Sequence, residues 1–334
     1  MKSGLKLIIF TLLTLMVLLS ACNSSNEVDG AKGNSKDNGS DGKLVIGFSQ
    51  VGAESEWRTA NTKSIQDAIK NAGHELQFSD AQQRQENQIS AIRSFISQGV
   101  DAIVFSPVVE TGFETVLQEA KDAGIPVFLA DRSVDIDDDS LWVTFIGSNF
   151  VEEGRNAARW LVDEMSDYDG DVSIVELQGT VGSAPAIDRK KGFEEIIADH
   201  PKFKITQSQT GNFTRTEGQE VMESFLRSDG ENIDVLYAHN DDMAIGAIQA
   251  IEEYGLKPGE DVIVIGVDAV RGAFEAMVEG KMNVTVECNP MFGPQLVDLI
   301  EDYFAGKEIP KRVDVEEDVY TMDQAADLID SREY

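Results

Sequence analysis

Acids, amides, guanidinium groups and a large aromatic side chain stand just behind a series of short apolar runs. Gln50, Glu54, Trp57 and Arg58 follow residues 44–49. Asp131 and Arg132 follow 126–130, His239, Asn240, Asp241 and Asp242 follow 234–238, and Asp268 follows 262–267. Arg189 trails the run 172–177 by a longer loop. Carboxylates accept hydroxyl protons, and Arg and Asn donate to hydroxyl oxygens. An indole face covers the apolar C–H side of a sugar ring. As a set, these groups suit a polyhydroxylated ligand. Taken singly, each has a plainer role. Asp131 and Arg132 can form a solvated or structural ion pair, and Trp57 can be core. Asn240, Asp241 or Asp242 can cap a helix starting near Met243, a role that Asn and Asp lead. Asp241 and Asp242 read more readily as caps than as ligands, and Asp268 can cap a helix around Ala273.

Covalent and metal chemistry find less support. The histidines are His74, His200 and His239. The first two read as surface residues, and His239 has no His or Cys at metal-ligand spacing. The first apolar run is followed by neither a GxGxxG pattern nor a Walker lysine. Ser183 lacks the GxSxG context of a nucleophile elbow. Asp131 and Asp268 offer a carboxylate pair, so glycoside hydrolysis stays open. The two cysteines are Cys22 and Cys288. Cys288, with no histidine near it in sequence, reads as a small buried apolar residue.

The elements that must position these groups alternate. Strands are predicted at 44–49, 75–79, 102–105, 126–130, 172–177, 234–238 and 262–267. Helical apolar spacing marks Ile65, Ala68, Ile69 and Ala72; Ile89, Ile92 and Ile96, closed by Gly99; and Phe113, Val116, Leu117 and Ala120. A further helical run covers 243–251. Strand, crossover helix and strand of this length predict parallel sheets with helices on both faces. Two such runs in 334 residues predict two doubly wound α/β lobes. Open parallel sheets bind ligands beyond the carboxyl ends of their strands, which is where the polar residues fall.

With 60 acidic and 28 basic residues, the formal net charge is −32. That excludes nucleic acid as a partner and disfavours an anionic membrane surface. The first residues read as an address. Lys2 and Lys6 precede an apolar run over 7–19, and Ser20-Ala21 supply small residues before Cys22. This is the pattern of a cleaved signal peptide, and the run is short of the roughly 20 residues that span a bilayer. Leu19-Ser20-Ala21-Cys22 resembles the lipobox of bacterial lipoproteins. The resemblance implies removal of residues 1–21 and a lipid on Cys22. Residues 22–43, rich in Gly, Ser, Asn and Asp, read as a flexible tether.

From Lys43 onward the chain resembles the periplasmic sugar-binding proteins of the ribose-binding type, the type I solute receptors of ABC importers, and within them the galactofuranose-binding type. The resemblance is carried by Gly47-Phe48-Ser49-Gln50-Val51-Gly52 with Glu54, Trp57 and Arg58; by Gln85-Glu86-Asn87-Gln88; and by Pro126-Val127-Phe128-Leu129-Ala130-Asp131-Arg132-Ser133. It continues through Ile187-Asp188-Arg189-Lys190-Lys191-Gly192-Phe193, Phe213-Thr214-Arg215 and Ala238-His239-Asn240-Asp241-Asp242-Met243. It implies a sugar held between two lobes. Asp131 and Arg132 match the family's Asp-Arg pair of the first lobe. Arg189, Phe213, Asn240 and Asp268 match the Arg, aromatic, Asn and Asp of the second. Glu54, Trp57 and Arg58 match the opening motif of the galactofuranose type, where the ribose type has Asn and paired Phe. Cys288 stands where the ribose type has a ligand-binding Gln. Three crossovers are implied, near Gly147-Ser148, near Cys288-Asn289 and within 315–320. The lobes would then be 44–147 with 289–317, and 148–288 with 318–334.

The function implied is capture of a neutral monosaccharide outside the cell and delivery to the permease of an ABC importer. The chain would act as a monomer, without catalysis, cofactor or metal. It would sit at the outer face of the cell membrane through the lipid on Cys22, or in the periplasm. The other readings are a secreted glycosidase and a ligand-presenting chemoreceptor or sensor protein for a pentose such as ribose.

Overall fold

The computed structural model describes residues 42–334. The signal peptide, Cys22 and all but the last two residues of the tether lie outside the described residues. The first sheet holds β1 (Val45–Gln50), β2 (Glu75–Asp80), β3 (Ala102–Phe105), β4 (Val127–Ala130), β5 (Thr144–Gly147) and β11 (Arg312–Asp314), in the order β11-β5-β4-β3-β1-β2. The second holds β6 (Val172–Gln178), β7 (Phe203–Thr210), β8 (Val235–Ala238), β9 (Ile263–Asp268), β10 (Val284–Glu287) and β12 (Val319–Thr321), in the order β12-β10-β9-β8-β6-β7. Every pairing is parallel except that of β10 with β12. The chain passes from one sheet to the other after β5, after β10, and between β11 and β12. Each sheet with its helices is called a lobe below.

The helices are α1 (Glu56–Asn71), α2 (Gln85–Gln98), α3 (Glu114–Asp122), α4 (Phe150–Glu164), α5 (Ala184–Ile197), α6 (Arg215–Asp229), α7 (Asp241–Tyr254), α8 (Arg271–Val278), α9 (Gly293–Phe304) and α10 (Met322–Leu328). Side chains alternate across a strand, and the buried strands use both faces. Ala102, Val104, Phe128 and Ala130 join a core with Ile65 and Ile69 of α1 and Leu296 and Ile300 of α9. Their neighbours Ile103, Phe105, Val127 and Leu129 face Ile92 and Phe95 of α2 and Val116 and Leu117 of α3. This two-sided burial makes the strands continuous apolar runs. In each sheet the order reverses between the first strand and the third, β1/β3 and β6/β8. The crevice beyond such a reversal is where open α/β sheets take their ligands.

The structure adds β5, β7, β10, β11 and β12 to the strands expected from sequence. It corrects the placement of Arg189, which lies within α5 rather than in a loop. It also corrects His74, which is buried, with Nδ1 accepting from Leu44 N–H at 3.3 Å and Nε2 3.1 Å from Glu301.

Helices α4 and α5 meet through glycines. A Cβ on Gly154 would lie 2.1 Å from Arg189 O, and one on Gly192 would lie 2.0 Å from Val151 O. Backbone contact at that range leaves no room for a methyl group, so Gly192→Ala must push the helices apart. Overpacking of this kind costs about 1–3 kcal/mol. We expect a lower melting temperature, and weaker ligand binding because Arg189 moves with α5. Calorimetric melting and titration check both.

Candidate ligand-binding site

The two lobes face each other across a small enclosed cavity. It is lined by all nine residues singled out in the sequence: Glu54, Trp57, Arg58, Asp131, Arg132, Arg189, Phe213, Asn240 and Asp268. Ser55, Phe150, Pro185 and Cys288 complete the wall. The free space is about 20 Å³, room for roughly one water, because the long side chains reach into its middle. A broader open groove of about 890 Å³ runs between the open side of α1 and the second-lobe residues Arg215, Asp242, Arg271, Glu333 and Tyr334. Apart from Glu54, it holds none of the nine, and exposed Lys63 and half-buried Asp67 form part of its wall.

In the first lobe, Ser55 caps α1 by accepting from Arg58 N–H, which sets Trp57 and Arg58 in the first turn. Arg58 Nε donates to Glu54 Oε1 at 3.0 Å, and Nη1 lies 2.6 Å from Asp131 Oδ2. Both pairs are buried, so Glu54 and Arg58 are not a surface ion pair. Burial pulls the Arg58 guanidinium down, but Asp131 and Glu54 outweigh it and hold it above its ordinary value. Arg132 lacks such a partner. Its distances to Glu54 and Asp131 are 3.8 and 3.7 Å. Burial, followed by repulsion from Arg58, pushes its pKa down to about 10. Its Nε and the Oε2 of Glu54 are buried without a hydrogen-bond partner. Both residues line the cavity, and each unpaired polar group costs about 1–3 kcal/mol.

Trp57 is both core and wall. It is 4% exposed, belongs to the same buried core as Ile46 and Phe48, and donates from Nε1 to Cys288 O at 2.5 Å. The contrast between a core tryptophan and a binding one therefore does not hold at this position.

In the second lobe, Pro185 sits in the opening turn of α5, where the ring's fixed φ suits a helix. Arg189, one turn on, is held by three elements. Its Nε donates to Glu153 Oε2 of α4 at 2.6 Å, its Nη1 donates to His239 O at 2.5 Å, and its Nη2 lies 3.6 Å from Asp268 Oδ1. Its guanidinium carbon lies 5.2 Å from the ring centre of Phe150. Burial lowers the Arg189 pKa, but Glu153 and Asp268 raise it well above its usual value. Burial holds the Asp268 carboxyl well above the ordinary carboxylate range, against the pull of Arg189. His239 is fully buried and bonds Glu176 Oε1 through Nε2 at 3.1 Å, so it supports the strand ends rather than facing the cavity.

Three of the nine residues hold left-handed backbone: Asp131 at φ 67°, Phe213 at 64° and Asp268 at 126°. Such conformations cost about 1–3 kcal/mol each in non-glycine residues and cluster at functional sites. The strain is held by neighbours. Asn240 Nδ2 donates to Phe213 O at 3.2 Å, and Ala269 N–H donates to Thr285 Oγ1 at 3.0 Å. Phe213 swings in only because residue 179 is glycine, where a Cβ would come within 1.8 Å of the ring.

The capping assignments divide differently from the sequence reading. Asn240 is the cap of α7, accepting from Met243 N–H at 3.1 Å. Asp241 turns to Val270 N–H and Thr285. Asp242 reaches the other lobe, and Val270 rather than Asp268 precedes α8. Sequence reasoning missed Glu153 and Phe150, which follow a crossover rather than a strand tip. The only signal was the need of a buried Arg189 for an acidic partner.

Behind the cavity the crossovers meet. Glu317 Oε1 accepts from the Ser148 hydroxyl and from Asn289 N–H at 3.2 Å, while Ser148 Oγ lies 3.3 Å from Cys288 Sγ. Burial, then the nearby Glu153, push the Glu317 carboxyl up to about 9. A folded pKa above the unfolded one gives stability that is full below the unfolded value of about 4.3 and lost as pH rises through about 9. Melting temperature is therefore expected to fall between pH 5 and 9 by an amount that Glu317→Gln reduces; scanning calorimetry across that window checks it.

A profile of the periplasmic binding protein domain matches residues 46–308. The galactofuranose-binding protein of Escherichia coli (strain K12) is 48% identical over 292 residues, covering 86% of this chain and 91% of its own. A solved structure from Mycobacterium smegmatis in complex with β-D-fucofuranose is 53% identical, with a TM-score of 0.85, covering 87% of this chain and 95% of that one. The periplasmic component of the arabinose ABC transporter from Shewanella sp. ANA-3, bound to α- and β-L-arabinofuranose, is 50% identical, with a TM-score of 0.83 over 86% and 95%. The Escherichia coli relative is a binding protein and the Shewanella one the periplasmic binding protein component of a transporter. The strand orders, the enclosed cavity between the lobes and these matches agree: the chain belongs to the periplasmic binding protein family.

Proposed function

We propose that this protein is an extracytoplasmic receptor that captures a neutral monosaccharide in furanose form, galactofuranose or a similar hexose, and delivers it to an ABC importer. The observation that carries the reading is the pair of orphaned buried polar atoms, Arg132 Nε and Glu54 Oε2, on two residues that line a cavity walled by an indole and a phenyl ring. Sugar hydroxyls satisfy both, since one oxygen accepts and its proton donates. Relatives at about half identity are named for or hold furanoses. Glu54, Trp57 and Arg58 supply larger and more polar groups than the Asn and Phe set of the ribose type, suited to the exocyclic hydroxyls of a six-carbon furanose. Asp131, Arg132, Arg189, Phe213, Asn240 and Asp268 complete the sugar contacts in this reading.

The lobes, 44–147 with 289–317 and 148–288 with 318–334, close about the three crossovers as a hinge. A lipid on Cys22, reached through the tether, holds the monomeric receptor at the outer face of the membrane. Cys22→Ser then releases soluble or unprocessed protein. Mass spectrometry of the sugar that co-purifies with the protein tests the ligand assignment. A neutral five- or six-carbon sugar is expected. An acidic or phosphorylated ligand contradicts it, because Glu54 and Asp131 would face a second anion at short range. Turnover of a glycoside would instead favour the glycosidase reading.

A further inference from the structure

Away from the cavity, one charged cluster joins the two lobes directly. The first N–H of α1, that of Glu56, belongs to the first lobe. It donates to Asp242 Oδ2, on the first turn of α7 in the second lobe, at 2.7 Å. Arg215, the first residue of α6, closes the triangle. Its Nη2 donates to Asp242 Oδ1 at 2.8 Å and to Glu56 Oε1 at 2.9 Å, and its Nε donates to Asp242 Oδ1 at 3.1 Å. The opening N–H groups of a helix have no partner within the helix and carry its positive pole. Ser55 satisfies Arg58 N–H from within the lobe. Asp242 satisfies Glu56 N–H from across the cleft, so part of the cap of α1 exists only while the lobes are together.

We propose that Asp242 and Arg215 form a latch on Glu56 that stabilises the closed arrangement and so sets sugar affinity without touching the sugar. The inference rests on the reading of the protein as a closing receptor. Asp242 and Arg215 are positioning residues in this account. None of the latch side chains lines the sugar cavity, so it acts on the closure equilibrium alone. Apparent affinity scales with the fraction of molecules in the binding-competent arrangement. Asp242 is 4% exposed, so its bonds are only partly screened; Arg215 and Glu56 are half-exposed and answer to salt.

The test follows closure in the full-length protein by fluorescence transfer between dyes on Ser97→Cys and Ser228→Cys. These exposed positions lie near the far ends of α2 and α6, one in each lobe; Cys288 is buried, and the labelled protein carries Cys22→Ser. Closed fraction is read without sugar, and dissociation rate with the sugar that binds best. Asp242→Ala should lower the closed fraction or speed dissociation by roughly tenfold. Arg215→Ala should do so by about two- to fivefold, and 0.5 M salt should bring the wild type toward Arg215→Ala while hardly moving that variant. Arg215 is exposed enough to replace without unfolding the protein, so the test survives a poorly folding Asp242 variant. If neither closed fraction nor dissociation rate changes by more than about twofold in Arg215→Ala and in any folded Asp242 variant, the latch is overturned. A wild type that binds no sugar overturns the functional reading instead, while the sugar-free closed fraction still decides the latch.

Discussion

Arg132→Met is expected to remove sugar binding while leaving the melting temperature of the sugar-free protein unchanged or higher. In the folded protein this guanidinium is buried, its Nε has no partner, and Arg58 repels it. Its firm contacts are a 3.2 Å hydrogen bond to Val108 O and the face of Phe213, whose ring centre lies 5.3 Å away. A methionine of similar length keeps the packing and discards the buried charge. The sugar loses a charged donor, worth about 1.5–3 kcal/mol, or roughly ten- to a hundredfold in affinity. A site that improves in stability when a residue is lost is one organised for its ligand. Calorimetric titration and melting of the same samples separate the two effects, and retained affinity would remove Arg132 from the site.

Arg189→Met should behave in the opposite way and cost both properties. Two hydrogen bonds and a 3.6 Å ion pair tie α5 to α4, to the end of β8 and to Asp268. Removing one partner of a buried pair leaves the other uncompensated, at about 3–5 kcal/mol. The double variant Arg189→Met with Glu153→Gln removes both charges. It should recover most of the melting temperature and none of the sugar affinity. Denaturant unfolding of the two single variants and the double variant gives the coupling directly. A double variant as unstable as Arg189→Met would show that the pair is not the source of the loss.

The contrast between these arginines shows what the sequence carried. Placing polar side chains beyond strand ends was enough to bring Glu54, Arg58, Asp131, Arg132, Asn240 and Asp268 to one cavity, whereas Phe213 was named only through the family resemblance and Arg189 lies within α5. The unequal partners of the two arginines were not legible, because Glu153 lies 36 residues before Arg189 and is brought in by two glycines at a helix contact. The trans cap is more remote still: 186 residues separate Glu56 from Asp242, and the local pattern around Asn240 fits an ordinary helix start. Strand β7 escaped notice for another reason. It lies at the sheet edge, and Lys204, Thr206 and Ser208 face outward between half-buried neighbours, so its apolar signal is thin. Strands β11 and β12 are three residues each, too short for any period to show.

The central claim is that the cavity between the lobes takes a neutral hexose in furanose form. Calorimetric titration of the wild-type protein with ring-locked methyl galactofuranoside and methyl galactopyranoside, ribose and galacturonate tests it most directly, because free galactose in water is mostly pyranose. The account predicts that the furanoside binds at least about tenfold more tightly than the pyranoside and than ribose, with one site per chain and no detectable binding of galacturonate. Ribose or the pyranoside binding more tightly than the furanoside, or galacturonate binding as well as it, would contradict it.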